Sequence, residues 1–417
     1  MLSVEQARDE IILRVRAAGD VEQVDLGEAN GRFLAQDVRA QIDHPLFDNS
    51  AMDGYAVNSS DLVMHDQGLP VAGTSRCGDA PSTLTAGSAM RIFTGAPLPA
   101  GANAVVIQEE VEQAGARAVV CAAVQPGANV RRQGEDFRAG DMLYSYGRRL
   151  SALDIALLGT AGVAQLKVYR RARALVLATG DELVQPSARL KPGQIYESNR
   201  LVTALQLQDL GVVVHDAGIV RDDLAALRQV LARANDYDFV ITSGGASVGE
   251  HDLVKQAFSE IGEINFWKVK VKPGKPLAFG RIGEGAHFFA LPGNPVSSLV
   301  TFKLFVEPAI YAWNHAAAIQ LQLKATAVDG FHRSAGRTEF LRAHVYARAG
   351  TLYARALSAQ GSHMVGALRE TNALIRVEAE DSGFERGDQV AVIPLVLDAW
   401  QTTPEQLATR GWRTTPG

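Results

Sequence analysis

One stretch constrains the fold of this chain more than any other: Asp238-Phe-Val-Ile-Thr-Ser-Gly-Gly-Ala-Ser-Val-Gly-Glu-His-Asp252. A short apolar, β-branched run at 239–241 reads as a buried strand. It breaks into Thr242, Ser243, Gly244, Gly245, Ser247 and Gly249, and a helical pattern begins near Leu253. Glycines at such a turn let backbone N–H groups approach a ligand closely, and the following helix start favours anions. The turn reads as an anion cradle with Glu250 and Asp252 at its rim, or as a plain tight βα connection. It matches neither G-x-x-x-x-G-K-[ST] nor G-x-G-x-x-G, so the usual mononucleotide and dinucleotide readings fail.

Strands and helices alternate around this stretch. Strands are expected at 174–178, 212–220, 238–241, 266–271, 277–279 and 287–291. Helices are expected at 199–210 (closed by Gly211), 224–234 and 253–261, and a long one follows Asn294, with Pro295 at its favoured first position. The alternation implies a doubly wound α/β domain with a mainly parallel sheet at 172–322. The flanks differ. A first helix at 4–18 has Ser3 as N-cap and Gln6 at capping-box spacing. Residues 42–147 carry many Gly and Pro, short apolar runs at 104–107 and 118–121, and little helical period, which reads as β-rich. A short helix at 151–159 returns the chain. Beyond 322 the pattern is β-rich again (339–346, 352–357, 373–378, 389–395). The expected fold class is therefore multidomain, α/β plus β-rich. Its segments are 1–47 with 142–171, a β-rich subdomain at 48–141, the α/β domain at 172–322, a C-terminal β-rich domain at 323–400, and a polar tail at 401–417.

Composition narrows the function. A net charge of −5 over 417 residues gives no bulk field to recruit nucleic acid or an anionic membrane. No apolar run approaches the roughly 20 residues that span a bilayer. The N-terminal segment lacks the apolar core and cleavage site of a signal peptide. Cys77 and Cys121 are the only cysteines, too few for a structural zinc site or a disulfide framework. The cytoplasm is the expected compartment.

Ligands of open α/β sheets bind outside the carboxyl ends of the strands. There this sequence places Asp181 and Glu182, then Asp222 and Asp223, then the Gly/Ser loop with Asp252. Pro292-Gly-Asn-Pro-Val-Ser-Ser298 offers a second helix start, hence a second possible cradle through Asn294, Pro295 and Ser297. Carboxylates beside phosphate loops point to Mg²⁺, which prefers one or two carboxylates plus phosphates and waters. Acids at helix starts also complement the helix dipole, and that reading stays open for any one of them. In Phe266-Trp-Lys-Val-Lys-Val-Lys-Pro-Gly-Lys275, a period of two puts Lys268, Lys270 and Lys272 on one strand face, with Lys275 after the turn. Such a row would attract an oxyanion, or would simply protect a solvated edge. In the N-terminal half, Asp48, Asn49, Ser50 and Asp53 crowd a turn-rich stretch. Turn chemistry recurs at 91–97 and 134–141. Read from the residues alone, the chain holds an α/β domain that binds an anionic, phosphate-bearing ligand with a divalent metal.

Seven motifs in order add a resemblance: Asp48-Asn-Ser-Ala-Met-Asp-Gly-Tyr-Ala-Val57, Thr94-Gly-Ala-Pro97, Gly134-Glu-Asp136, Thr179-Gly-Asp-Glu-Leu183, Thr242-Ser-Gly-Gly-Ala-Ser-Val-Gly249, Lys272-Pro-Gly-Lys-Pro276 and Leu291-Pro-Gly-Asn-Pro295. Across nearly its whole length the chain resembles the molybdopterin molybdenumtransferases, and it is similar to the C-terminal domain of the animal protein gephyrin. The resemblance implies that adenylated molybdopterin and molybdate are the substrates. It implies that the adenylate is hydrolysed in a Mg²⁺-dependent step and that AMP leaves as molybdenum joins the dithiolene. It also implies an elongated homodimer of four-subdomain chains, with each site between the α/β domain of one subunit and the β-rich segments of its partner. Contacts with molybdopterin adenylyltransferase, recipient molybdoenzymes or their chaperones are implied as well.

Carried over by position, Asp181, Glu182, Asp222 and Asp252 become candidates for metal and pterin contacts. Ser243, Gly244, Gly245, Ser247 and Gly249 cradle the ligand, with Lys275, Pro292, Asn294, Pro295 and Ser297 beside them and Ser362 from the last domain. Lys268 and Lys272 hold molybdate or phosphate, and Asp53, Thr94 and Asp136 reach the site across the dimer. Glu182 and Asp222 also count as catalytic. Ala246 departs from the larger residue expected in many relatives. The rival readings are molybdopterin adenylyltransferase, which shares the α/β module but needs neither flank, and a gephyrin-like scaffold.

Overall fold

The computed structural model describes residues 1–62, 68–120, 124–244, 256–257, 262–283, 285–317 and 319–396. The chain forms two compact units, Met1–Val21 with Tyr169–Gly417, and Glu22–Val168.

The larger unit is built on a six-stranded sheet. Its order is Val213–Val220, Arg173–Thr179, Phe239–Ser243, Ala286–Leu291, Pro276–Ile282 and Gly262–Lys268. The first four strands run parallel and the last two join through antiparallel pairings, the mainly parallel α/β sheet expected. Strands covered on both faces read as continuous apolar runs rather than alternating ones. Phe239–Ser243 is buried at every position, and Arg173–Thr179 at all but the first. Leu175, Leu177, Val240 and Phe288 pack against Leu227 and Leu231 of the helix Leu224–Leu231, which Asp223 caps by accepting from the Ala226 N–H.

Two expectations need adjustment, and a third lies mostly outside the described residues. The first helix is Val4–Arg14 rather than 4–18, with the Ser3–Gln6 capping box formed. The helix expected at 253–261 lies mostly outside the described residues, where Gln256 and Ala257 alone are seen as helical. The long helix after Asn294 is Pro295–Thr301, a π turn at Phe302–Val306, and Glu307–Trp313. Pro308 has no N–H to give the Leu304 carbonyl, and the helix widens just before it.

A second sheet in the same unit contains Val271–Lys272, Thr338–Arg348, Thr351–Ala356, Leu323–Ala327, Gln389–Pro394 and Ala373–Val377. Thr338–Arg348 also pairs with Ala373–Val377, so five of these strands close into a barrel filled by Leu341, Val345, Ile375 and Val392.

The smaller unit carries a six-stranded sheet ordered Ala104–Ile107, Gly54–Val57, Ala89–Ile92, Leu69–Ser75, Arg117–Val120 and Val111–Ala114. A Cβ at Gly54 would overlap the Val106 carbonyl oxygen, so only glycine allows that pairing. The helix Ala152–Thr160 starts at Ser151, whose backbone N–H and hydroxyl both donate to Asp154, each at 2.7 Å. Asp154 is 1% exposed. Burial pushes its carboxyl up, but Tyr144, Ser151 and Arg148 outweigh burial and hold it at about 2.

Candidate active site

In the larger unit the site grows from the ends of the parallel strands. The register Thr179↔Val220 brings Gly180 and Asp181 beside Arg221 and Asp222. The Thr179 hydroxyl donates to Asp222 Oδ1 at 2.5 Å, and the Asp222 N–H donates to Asp181 Oδ1 at 3.3 Å. Asp181 is thus tied to the Asp222 backbone and the Asp222 carboxylate to Thr179, each through one oxygen. The other oxygen of each has no protein donor among the described residues. The Glu182 carboxylate lies against Gly180, where a Cβ would meet its Oε2 at 2.6 Å.

The glycine loop leaves the sheet next door. Gly244 has φ +94°, a conformation that L side chains rarely adopt, and a Cβ there would sit 2.9 Å from the Thr179 carbonyl oxygen. Its N–H donates to the Leu291 carbonyl at 3.1 Å, and its own carbonyl accepts from the Thr242 hydroxyl at 3.1 Å. Ser243 is buried at the strand end. Gly245, Ser247, Gly249 and Asp252 lie outside the described residues.

Part of the second expected cradle, 292–298, is already engaged. The Gly293 carbonyl accepts from Asn199 Nδ2 at 2.7 Å. Val296 donates its N–H to the Ser362 carbonyl at 3.3 Å, and Ser298 donates to Asn294 at 2.9 Å. Pro295 has no N–H to offer and Ser297 is buried. Ser362 comes here because Arg342, 0% exposed, donates to the carbonyls of Ala359 and Gly361, while Gln360 bridges back to the Arg342 backbone.

The lysine run is not one strand. Gly262–Lys268 ends the central sheet and Val271–Lys272 joins the barrel sheet, with a bend at Lys270. The Lys270 N–H goes to Leu2 and its carbonyl to Thr338, so backbone pairing changes partners there and overrides the period-two pattern. Lys268 pairs across from Pro276, next to Lys275. Lys272 instead pairs with the buried Glu339 at 2.8 Å. Lys268 and Lys275 are thus neighbours, and Lys272 is a separately held cation.

In the smaller unit, residues 48–53 sit between two turns. Asn49–Ser50 pairs with Val130–Arg131, and Gly95 donates to the Ser50 carbonyl at 2.8 Å. Asp53 Oδ1 accepts both the Thr94 N–H and the Thr94 hydroxyl, each at 2.8 Å. Those donors, helped by the charge of Arg91, hold the Asp53 carboxyl below its ordinary value. Asp48 accepts from Arg132 at 2.6 Å and from the Gln133 N–H at 2.8 Å, which more than offsets the upward push of burial. Asp136 is exposed on the same turn, anchored through its N–H to the His44 carbonyl at 3.1 Å.

Among the described residues no group of three or more His, Cys, Asp or Glu side chains is spaced to hold a metal ion by itself. The donor set is open: two carboxylates, each with one oxygen committed to protein.

The chain is 38% identical over 406 residues to the molybdopterin molybdenumtransferase of Haemophilus influenzae, spanning 94% of this chain and 98% of that one. It belongs to the molybdopterin molybdenumtransferase family. To molybdopterin molybdenumtransferase 2 of Mycobacterium tuberculosis H37Rv it is 35% identical over 405 residues, 94% of this chain and 99% of that one. The model of the MoeA N-terminal region (domain I and II) matches residues 2–162, which contain Asp53, Thr94 and Asp136. A probable molybdopterin binding domain matches 175–312, and the MoeA C-terminal region (domain IV) matches 324–395. The solved structure of molybdopterin biosynthesis moeA protein from Pyrococcus horikoshii OT3 agrees with a TM-score of 0.80 at 28% identity, covering 94% of this chain and 100% of that one. Matches on both flanks of the α/β module argue against a lone adenylyltransferase.

Sequence reading passed over Arg342, Asn199 and Glu339. None stands in a glycine-rich or acidic motif, and their partners are distant in sequence.

Proposed function

We propose that this protein inserts molybdate into adenylated molybdopterin, with Mg²⁺-dependent release of AMP, to give molybdenum cofactor. The observation that carries the reading is the linked Asp181–Asp222 pair beside the Gly244 turn, in a member of this family. The second oxygens of Asp181 and Asp222 suit Mg²⁺, which sits on one or two carboxylates with phosphates and waters. Bound there it would neutralise the adenylate phosphate and make the phosphorus more electrophilic.

The chain's own groups do the rest. Lys268 and Lys275 neutralise the oxyanion, and Lys272, fixed by Glu339, adds a positioned charge. Asp222, held by Thr179, keeps an oxygen free for the phosphate's cation or for an attacking water. With molybdenum bound by the pterin thiolates, no protein thiolate is needed.

Two further parts belong to the proposal. The protein works as a homodimer in the cytoplasm, where Asp53, Thr94 and Asp136 of one copy complete the site of the other. The exposed Leu201, Leu205 and Val213 give the larger unit an apolar face for a second copy. The protein meets molybdopterin adenylyltransferase and recipient molybdoenzymes or their chaperones. No helix among the described residues is long and apolar enough to cross a membrane.

Mixing tests the composite site. Asp53→Ala and Asp222→Ala chains, each inactive alone, should regain activity when refolded together. Mixed samples as inactive as either parent would overturn it.

A further inference from the structure

Arg91 of the smaller unit is a cation that the reading above does not use. It lies on the strand Ala89–Ile92 directly across from Tyr55, three residues before Thr94. Its guanidinium stacks between two rings, 5.1 Å from the centre of Tyr55 and 5.3 Å from that of Phe93. The Gly54 carbonyl and Gln108 Oε1 accept from it at 3.4 and 2.6 Å. An arginine has five N–H donors, so most of the fork is uncommitted. No carboxylate lies within 4.0 Å of it among the described residues. The side chain is only partly buried, so the free donors are reachable.

A purely structural arginine would be expected to pair with an acid. This one is held by two rings and a glutamine, with no carboxylate in ion-pair contact and Asp53–Thr94 next to it. Stacking keeps a planar fork in place before a ligand arrives, which lowers the entropy lost on binding. A fork of parallel N–H groups fits a tetrahedral dianion in two-point fashion.

We propose that Arg91 is an oxyanion-binding residue of the smaller unit, taking a tetrahedral dianion beside the Asp53–Thr94 pair. The dianion is the phosphate monoester of the nucleotide product or molybdate, which share this chemistry. The inference rests on the proposed transferase reading.

The test uses the full-length protein with AMP and sodium molybdate as separate probes. Wild-type protein is treated with phenylglyoxal, with and without each probe, and modification of Arg91 is read by peptide mass spectrometry. Arg91→Met and Arg91→Lys are then titrated with the same probes by calorimetry. Protection of Arg91 by either probe is expected. Arg91→Met should weaken that probe's Kd about 10- to 100-fold, the usual cost of a lost charged hydrogen bond. Arg91→Lys should recover part of the loss. Protection by AMP alone assigns the phosphate, and protection by molybdate alone assigns molybdate. The proposal fails if Arg91 reacts equally fast with and without both probes, which needs no variant to fold. It fails as well if a folded Arg91→Met binds as tightly as wild type. Wild-type protein that binds neither probe would overturn the transferase reading together with this inference; binding without Arg91 involvement would overturn the inference alone.

Discussion

The two units fix their carboxylates by different physics. In the larger unit, parallel register does the positioning. Strands Arg173–Thr179 and Val213–Val220 end together, and Asp181 and Asp222 meet because their strands do. In the smaller unit no long strand ends at the acids. Asp53 and Asp48 are placed by side-chain to backbone bonds across turns, Asp53 by Thr94 and Asp48 by Gln133. A site read from sheet topology tolerates local change as long as the sheet forms. A site read from turn bonds depends on each donor.

Two glycines probe that contrast most strongly. Gly54→Ala should part the strand pair Gly54–Val57 and Ala104–Ile107 and cost the smaller unit about 3–5 kcal/mol in denaturant melts. Gly244→Ala should cost the larger unit about 2–3 kcal/mol, through positive φ and contact with the Thr179 carbonyl. Equal stability of Gly54→Ala and wild type would show that the pairing is misread.

Next come the carboxylates. Asp222→Ala and Asp53→Ala should each lower AMP release about 100- to 1000-fold while the fold persists, the usual scale for a group acting on developing charge. Full turnover in either variant would remove that residue from the site.

Acid should separate the units. His287 is 1% exposed, accepts the Arg16 N–H at 3.1 Å, and is pushed by burial down to about 4. Its folded value lies below its unfolded value near 6.5, so the unfolded chain takes up the proton first. The larger unit should therefore lose about 3 kcal/mol as pH falls from about 6.5 to about 4. Asp154 works in a lower window. Its folded value of about 2 lies below the ordinary 3.8, so its contribution is complete above about 4 and is lost as pH falls through about 2. Amide exchange should show the larger unit loosening first, and Asp154→Asn should flatten the acid limb of the smaller unit alone. The reverse order would contradict both assignments.

The smallest effect expected is for Thr179→Val, which keeps shape but removes the donor to Asp222. A donor lost from a charged carboxylate is worth about 1.5–3 kcal/mol, so AMP release should fall about 10- to 100-fold. Thr179→Ser should restore it.

These contrasts also explain what the sequence made legible. The α/β sheet announced itself because strands buried on both faces must be apolar throughout, as at Phe239–Ser243. Capping was legible at Ser3 because it is local. The lysine run misled because period two cannot register that Lys270 changes backbone partners to Leu2 and Thr338. At 292–298 the sequence could not show that the carbonyl occupying the Val296 N–H comes from Ser362, held in place by the buried Arg342. Long-range hydrogen bonds leave no local pattern.

The central claim is best tested by AMP release from adenylated molybdopterin, with molybdate and Mg²⁺ each added and withheld. The account predicts release that requires both and is lost in Asp222→Ala. Tight binding of the adenylate without release under any of these conditions would contradict it.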